Sequence, residues 1–148
     1  MVSSDEKTFR CELIGPMGKL LDCQTTSVVF PAHDGQVGVL YDHMPMLSQL
    51  GLGIMIVAQP SKGDREAPEL PAEVSFFVDG GFALVAENSV TVVAYDALAL
   101  REVKAQTLAS MIETAARNRA SPALSPVQRA HEDQRWRALR GIAESVAS

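Results

Sequence analysis

The sequence predicts an α+β protein, with a β-rich domain over residues 1–94 and a two-helix hairpin over residues 95–148. Three observations carry this expectation. Residues 8–94 break into short apolar or alternating runs separated by Gly, Pro and Asn. After Asp96 the chain switches to a long segment without Gly or Pro, rich in Ala, Leu, Glu and Lys. Two prolines, Pro122 and Pro126, then interrupt that segment before a second helical pattern begins.

The elements follow in order. TFRCELI alternates, with Phe9, Cys11 and Leu13 on one face and Arg10 and Glu12 on the other. GPMGKL supplies a turn. TSVVFPA is a second apolar run, expected to stop at Pro31, VGVL is a third, and GLGIMIVA is a fourth that is apolar on both faces. SFFVDGGFALVAENSVTVVA holds three more runs, separated at Asp79-Gly80-Gly81 and at Glu87-Asn88, both hairpin-type turn signals. Residues 59–73 are polar with three prolines and read as a long exposed loop. Short strands at this spacing suggest a sandwich or a barrel.

The first helix is expected over ALALREVKAQTLASMIETAARNRA, with Val103, Leu108, Met111, Ile112 and Ala115 close to one face. Ser125-Pro126-Val127-Gln128 then has the order of a capping box: Ser at the N-cap, Pro at the first helical position and Gln at the third. In the second helix Val127, Ala130, Leu139, Ile142, Ala143 and Val146 are the inward candidates, and Arg129, Arg135, Arg137 and Arg140 form a solvated face. Trp136 reads either as a core residue or as an interface anchor; a two-helix hairpin has little core to offer it, which favours the interface.

Composition limits the function classes. With 47% apolar residues, 148 residues can bury a real core, and the net charge of -5 does not suggest disorder. An acidic pI near 5.1 argues against nucleic acid, which needs a basic face. The first ten residues lack the apolar stretch of a secretory leader, and no run nears the roughly 18 apolar residues of a membrane span, so a soluble cytoplasmic protein is expected. In that reducing setting Cys11 and Cys23 are expected to act as small buried hydrophobes; a disulfide between them is geometrically possible, but nothing in the sequence calls for one.

Chemistry concentrates in PAHDGQVGVLYDHMPML, residues 31–47, which is expected to be a loop rich in His, Asp, Gly and Pro. GPMGKL is not a phosphate loop, because Leu13 stands at the required earlier glycine and Leu20 at the hydroxyl position. His33 and His43 are ten apart with no His-x-His, which makes a metal-dependent barrel using His33, Asp34 and His43 the weakest reading. No Gly-x-Ser-x-Gly elbow is present. No catalytic, cofactor-binding or metal residue is assigned. A ligand- or carbohydrate-binding sandwich is the main alternative to a partner-binding role, but one Trp, two Tyr and five Phe are few for it.

PAHDGQVGVLYDHMPMLSQLGLG resembles the hallmark of the epsilon subunit of F-type ATP synthases, through Gly35, Gln36, Val37, Gly38, His43, Pro45, Leu47 and Gly53. FFVDGGFALVAENSVTVVA resembles that family's second hallmark through Gly80, Gly81, Phe82, Asn88, Val90, Thr91 and Val93. The resemblance covers most of residues 8–94, and the helical hairpin follows where the family has one. It implies a flattened β-sandwich of about ten strands. It also implies a non-catalytic central-stalk subunit on the cytoplasmic face of the membrane, coupling rotation to ATP synthesis with protons or sodium as the driving ion.

The resemblance further implies roles for residues. His43, Met44 and Pro45 would approach the gamma subunit, and Gly35 and Gln36 would meet the polar loops of the c-ring. Gly38, Gly53, Gly80 and Gly81 would set loop and turn geometry. When the hairpin extends, Arg129, Arg135, Trp136, Arg137 and Arg140 would reach the catalytic alpha and beta subunits and restrain hydrolysis. Three departures stand out. Tyr41-Asp42 precedes the histidine, the 59–73 loop is long, and Lys104 and Thr107 occupy the places of an Asp and an Arg that bind ATP in some members, so ATP sensing is not expected.

Overall fold

The computed structural model of the chain describes residues 7–58 and 73–147. It divides into two compact units, Met1–Arg101 and Glu102–Ser148. The first holds strands β1 (Phe9–Gly15), β2 (Gly18–Thr25), β3 (Ser27–Ala32), β4 (Gly35–Leu40), β5 (Met46–Ala58), β6 (Glu73–Ala86), β7 (Ser89–Ala94) and β8 (Ala97–Ala99). The second holds helices α1 (Ala105–Arg119) and α2 (Pro126–Ala147). The long loop expected over 59–73 lies outside the described residues, except for Glu73, which opens β6.

The hydrogen-bonded order is β2-β1-β7-β6-β5-β3-β4, with β8 also on β6. β1 and β7 run parallel, and the other pairs are antiparallel. Two strands hold the architecture together. β5 and β6 pair with each other along their lengths, from Met46↔Val85 to Ala58↔Glu73. β6 changes its outer neighbour midway, and β5 keeps β3 through a shift of register. Residues Gly81–Ala86 of β6 pair with β7, while Phe76–Val78 pair with β8. β3 meets β5 at Val28↔Val57 and, after a register shift, at Ala32↔Leu50. The long strands therefore pass from one layer to the other, giving five segments in each layer of a sandwich. The expectation of about ten strands becomes eight continuous ones, because the chain bends at its glycines instead of breaking there.

Asp79-Gly80-Gly81 was expected to be a hairpin turn and lies inside β6 instead. Gly80 and Gly81 do have positive φ, 76° and 128°. A Cβ on Gly81 would sit 1.9 Å from the Val93 carbonyl oxygen, and one on Gly51 would sit 2.6 Å from that of Ala32. These contacts are the corner of the bend, where two backbones approach too closely for a side chain. Pro31 does not end β3, which runs on to Ala32. It sits where the β3–β5 register shifts, so its missing N–H costs no regular ladder bond.

The alternating pattern of β1 is realised: Phe9, Cys11 and Leu13 are buried, and they join Phe30, Met55, Phe76 and Val92 in the core. Thr25 is fully buried. Its hydroxyl bonds to the carbonyls of Ser27 and Ala58 and accepts from the Ser27 N–H, which ties the β2–β3 corner to the end of β5.

The first unit ends after Arg101 and not after Ala94, because Ala97–Ala99 pair with Val78–Phe76. That strand takes the segment expected to start the first helix, which begins at Ala105. Val103 therefore lies before the helix, while Leu108, Met111, Ile112 and Ala115 share its buried or half-buried face. α2 starts with the expected capping box. The Gln128 N–H donates to Ser125 Oγ at 3.2 Å, and the Ser125 N–H donates to Gln128 Oε1 at 2.9 Å. Leu139 and Ile142 are buried, but Val127 is 80% exposed and Ala130 is exposed, contrary to their inward assignment. Both precede the stretch of α2 that carries those buried residues. Val146 lies outside the residues whose side chains are described.

Candidate partner-binding surface

Residues 31–47 are mostly strand, not loop. His33 and Asp34 form a two-residue turn between β3 and β4, closed by the Ala32↔Gly35 pair, with Gly35 at φ 138°. Gln36 is exposed opposite Pro31. Gly38 lies mid-strand opposite Val29 on a sheet edge, and a Cβ there would meet nothing within 4 Å. Among the described residues its absent side chain answers no crowding, and Gly38 lies in a strand and not in a loop. Gly53 does answer crowding: a Cβ there would lie 3.1 Å from Pro31 Cβ.

The true loop is Tyr41–Pro45. Asp42 has φ 65°, and its N–H donates to Asn88 Oδ1 at 2.9 Å. His43 N–H donates to the Leu40 carbonyl at 3.2 Å, and its Nδ1 lies 2.7 Å from the Met44 carbonyl. Asn88 stands in the β6–β7 turn with φ 56°, and its carbonyl accepts from Arg10 N–H at 3.2 Å. The side chain of Asn88 thus joins the two glycine-rich motifs, a contact between residues 46 apart that neither motif announces. Lys7 adds an ammonium 5.3 Å above the Tyr41 ring.

Beside this loop the outer face of one layer carries an apolar strip. Leu47 and Leu84 are cross-strand partners, 71% and 45% exposed. Phe82 lies two residues from Leu84, on the same face, and is paired with Gln49. Leu47, Phe82 and Tyr95 help line a shallow groove of ≈ 580 Å³. Met44, in the loop that leads into β5, is among the most exposed apolar side chains.

The hairpin residues cluster differently. Arg119 stacks on Trp136 at 3.8 Å and pairs with Asp133 at 3.0 Å, which binds α1 to α2. Arg140 lies 4.9 Å from the same ring, and Arg137 pairs with Asp133 at 3.0 Å. Arg129 donates to the Ser121 carbonyl at 3.0 Å, and Arg135 is half-buried. Trp136 is thus half-buried beside two guanidiniums, and its stacking with Arg119 was not visible in the helical pattern.

His33 and Asp34 lie at one end of the six-residue β4 and His43 beyond the other, roughly 20 Å apart at about 3.3 Å per residue, too far to share an ion. Among the described residues, no group of three or more His, Cys, Asp or Glu is placed to hold a metal. No described helix is long and apolar enough to cross a membrane. On the sandwich, β1 and β2 share an ion-pair square: Arg10 and Lys19 against Glu12 and Asp22, at 2.8–3.3 Å. The Arg10 and Lys19 hydrogen bonds hold the Asp22 carboxyl down at about 2. Burial pushes the Cys11 thiol up to about 12 and raises that of Cys23.

The fold and its strip define a β-sandwich that exposes a strip of apolar side chains, followed by a helical hairpin. Residues 8–99 match the family described as ATP synthase, Delta/Epsilon chain, beta-sandwich domain, and the chain belongs to that family. The ATP synthase epsilon chain of Jannaschia sp. (strain CCS1) is 28% identical over 140 residues, covering 95% of this chain and 86% of that protein. The chloroplastic ATP synthase epsilon chain of Euglena gracilis is 34% identical over 90 residues, and the match covers 61% of each. The fold is also that of a chain in a cryo-EM structure of the Euglena gracilis mitochondrial ATP synthase with its c-ring. That match has a TM-score of 0.64 and 20% identity, covering 99% of this chain and 88% of the other.

Proposed function

We propose that this chain is a non-catalytic central-stalk subunit of an F-type ATP synthase, peripheral to the membrane on its cytoplasmic side, which couples c-ring rotation to catalysis. The apolar strip of Met44, Leu47, Phe82, Leu84 and Tyr95 is the observation that carries this reading. A run of large side chains exposed on a sheet face is stable in water only at a cost, and marks a surface that a partner covers. The partner assigned to it is the gamma subunit, with His43 and Pro45 in the loop that the Asn88 bond pre-orders. The His33–Gln36 tip, at the other end of β4, is assigned to the c-ring loops. There Gln36 offers a neutral hydrogen bond, and the bare edge at Gly35 and Gly38 admits close approach.

The hairpin is assigned a regulatory role. Arg129, Arg135, Trp136, Arg137 and Arg140 are assigned to an acidic surface on the alpha and beta subunits, where Arg129, Trp136, Arg137 and Arg140 exchange contacts they make within the hairpin. Reconstitution with the catalytic head containing gamma tests the docking surface. Leu47→Asp should weaken binding at least tenfold while leaving the melting temperature of the free chain unchanged. Wild-type affinity in a folded Leu47→Asp chain would reject the strip as the gamma site.

A further inference from the structure

We propose that Cys11 and Cys23 form a reversible thiol–disulfide site that a small disulfide of the glutathione class oxidises, stapling edge strand β2 to β1. The two residues are direct cross-strand partners, flanked by the regular pairs Arg10↔Gln24 and Glu12↔Asp22. The register shift in this ladder comes only beyond Leu13. Opposed residues in an antiparallel pair share a face, with Cα atoms about 4.5 or about 5.5 Å apart according to the pair type. A disulfide spans Cα separations of about 4.4–6.8 Å, so bridging requires no sliding of either strand. Both thiols are free.

Their environments order the steps. β2 is a sheet edge, and Cys23 on it is partly exposed, whereas Cys11 is fully buried. Cys23 therefore meets the oxidant. Its thiolate attacks one sulfur of the small disulfide, breaks that S–S bond and releases one thiolate. The Cys11 thiolate then attacks the Cys23 sulfur, forms the cross-strand bond and expels the second thiolate. The cysteine pair loses two electrons and two protons, and the oxidant leaves as two thiols. The closed loop contains the hairpin tip with the exposed Met17, so oxidation fixes the otherwise one-sided strand β2.

Incubating the full chain in a series of reduced and oxidised glutathione mixtures at mildly alkaline pH, then alkylating it in denaturant and mapping peptides by mass spectrometry, tests this. The expected product is a Cys11–Cys23 cross-link within one chain, reversed by dithiothreitol, with a higher melting temperature than the reduced chain. Cys11→Ala should instead stop at a glutathione adduct on Cys23. If that variant fails to fold, Cys23→Ala serves, and its buried Cys11 should stay unmodified. Two alkylated thiols throughout, a wild-type adduct that stops at Cys23, or a cross-link between chains would overturn the proposal.

Discussion

Thr25 occupies a fully buried position and spends its hydroxyl on the carbonyls of Ser27 and Ala58 and on the Ser27 N–H. Replacing it with valine keeps the shape and orphans those groups. Thr25→Val is expected to cost about 1–3 kcal/mol in chemical denaturation. The glycines divide by the same reasoning. Gly81 has φ 128° and no room for a Cβ, so Gly81→Ala should destabilise by more than the roughly 1 kcal/mol of backbone strain alone, because the Val93 carbonyl must also move. Gly38→Ala faces open space and should leave unfolding unchanged within about 0.5 kcal/mol. Equal losses from the two alanines would contradict the bend at Gly81.

Among the elements, the β1–β2 ladder carries its own pH signature. Asp22 titrates at about 2 against an ordinary 3.8, chiefly because Arg10 and then Lys19 hydrogen-bond its charged form. A carboxyl with a depressed folded pKa contributes stability that is complete above its unfolded value and lost as pH falls through the folded one. Thermal unfolding of the wild type should therefore weaken between about pH 4 and about pH 2 more steeply than that of Asp22→Asn. Parallel curves would show that the square does not act as a unit. In the hairpin, the reciprocal bonds of Ser125 and Gln128 satisfy two orphan groups at the start of α2. Ser125→Ala should cost about 1 kcal/mol, read as loss of helical circular dichroism at lower temperature.

For the whole molecule, the division at Arg101 matters more than the residues on either side of it. A chain ending at Ala94 loses β8 and strips a strand from β6, whereas one ending at Arg101 keeps every pairing of the sandwich. The 1–101 chain is expected to bind the gamma-containing catalytic head as tightly as the full chain, with any restraint on ATP hydrolysis confined to the full chain. Loss of gamma binding in a folded 1–101 chain would move the docking role to the helices.

The sequence alone determined the α+β order, the alternating face of β1, the buried face of α1 and the capping box before α2. It also carried the two glycine motifs that place the chain in its family. These are local signals, written in residues a few positions apart. The tertiary structure decided what those signals meant. Gly80-Gly81 reads equally as a turn or as a bend, because positive φ serves both, and only pairing with β5, β7 and β8 selects the bend. Ala97–Ala99 looked helical by composition, yet β6 offered an unpaired edge and the backbone bonds there outweighed propensity. The joining of Asp42 to Asn88, the strip from Leu47 to Leu84 and the pairing of Cys11 with Cys23 all depend on partners 12 to 46 residues away. Such contacts form only once the sheet sets its register, and no local preference records them.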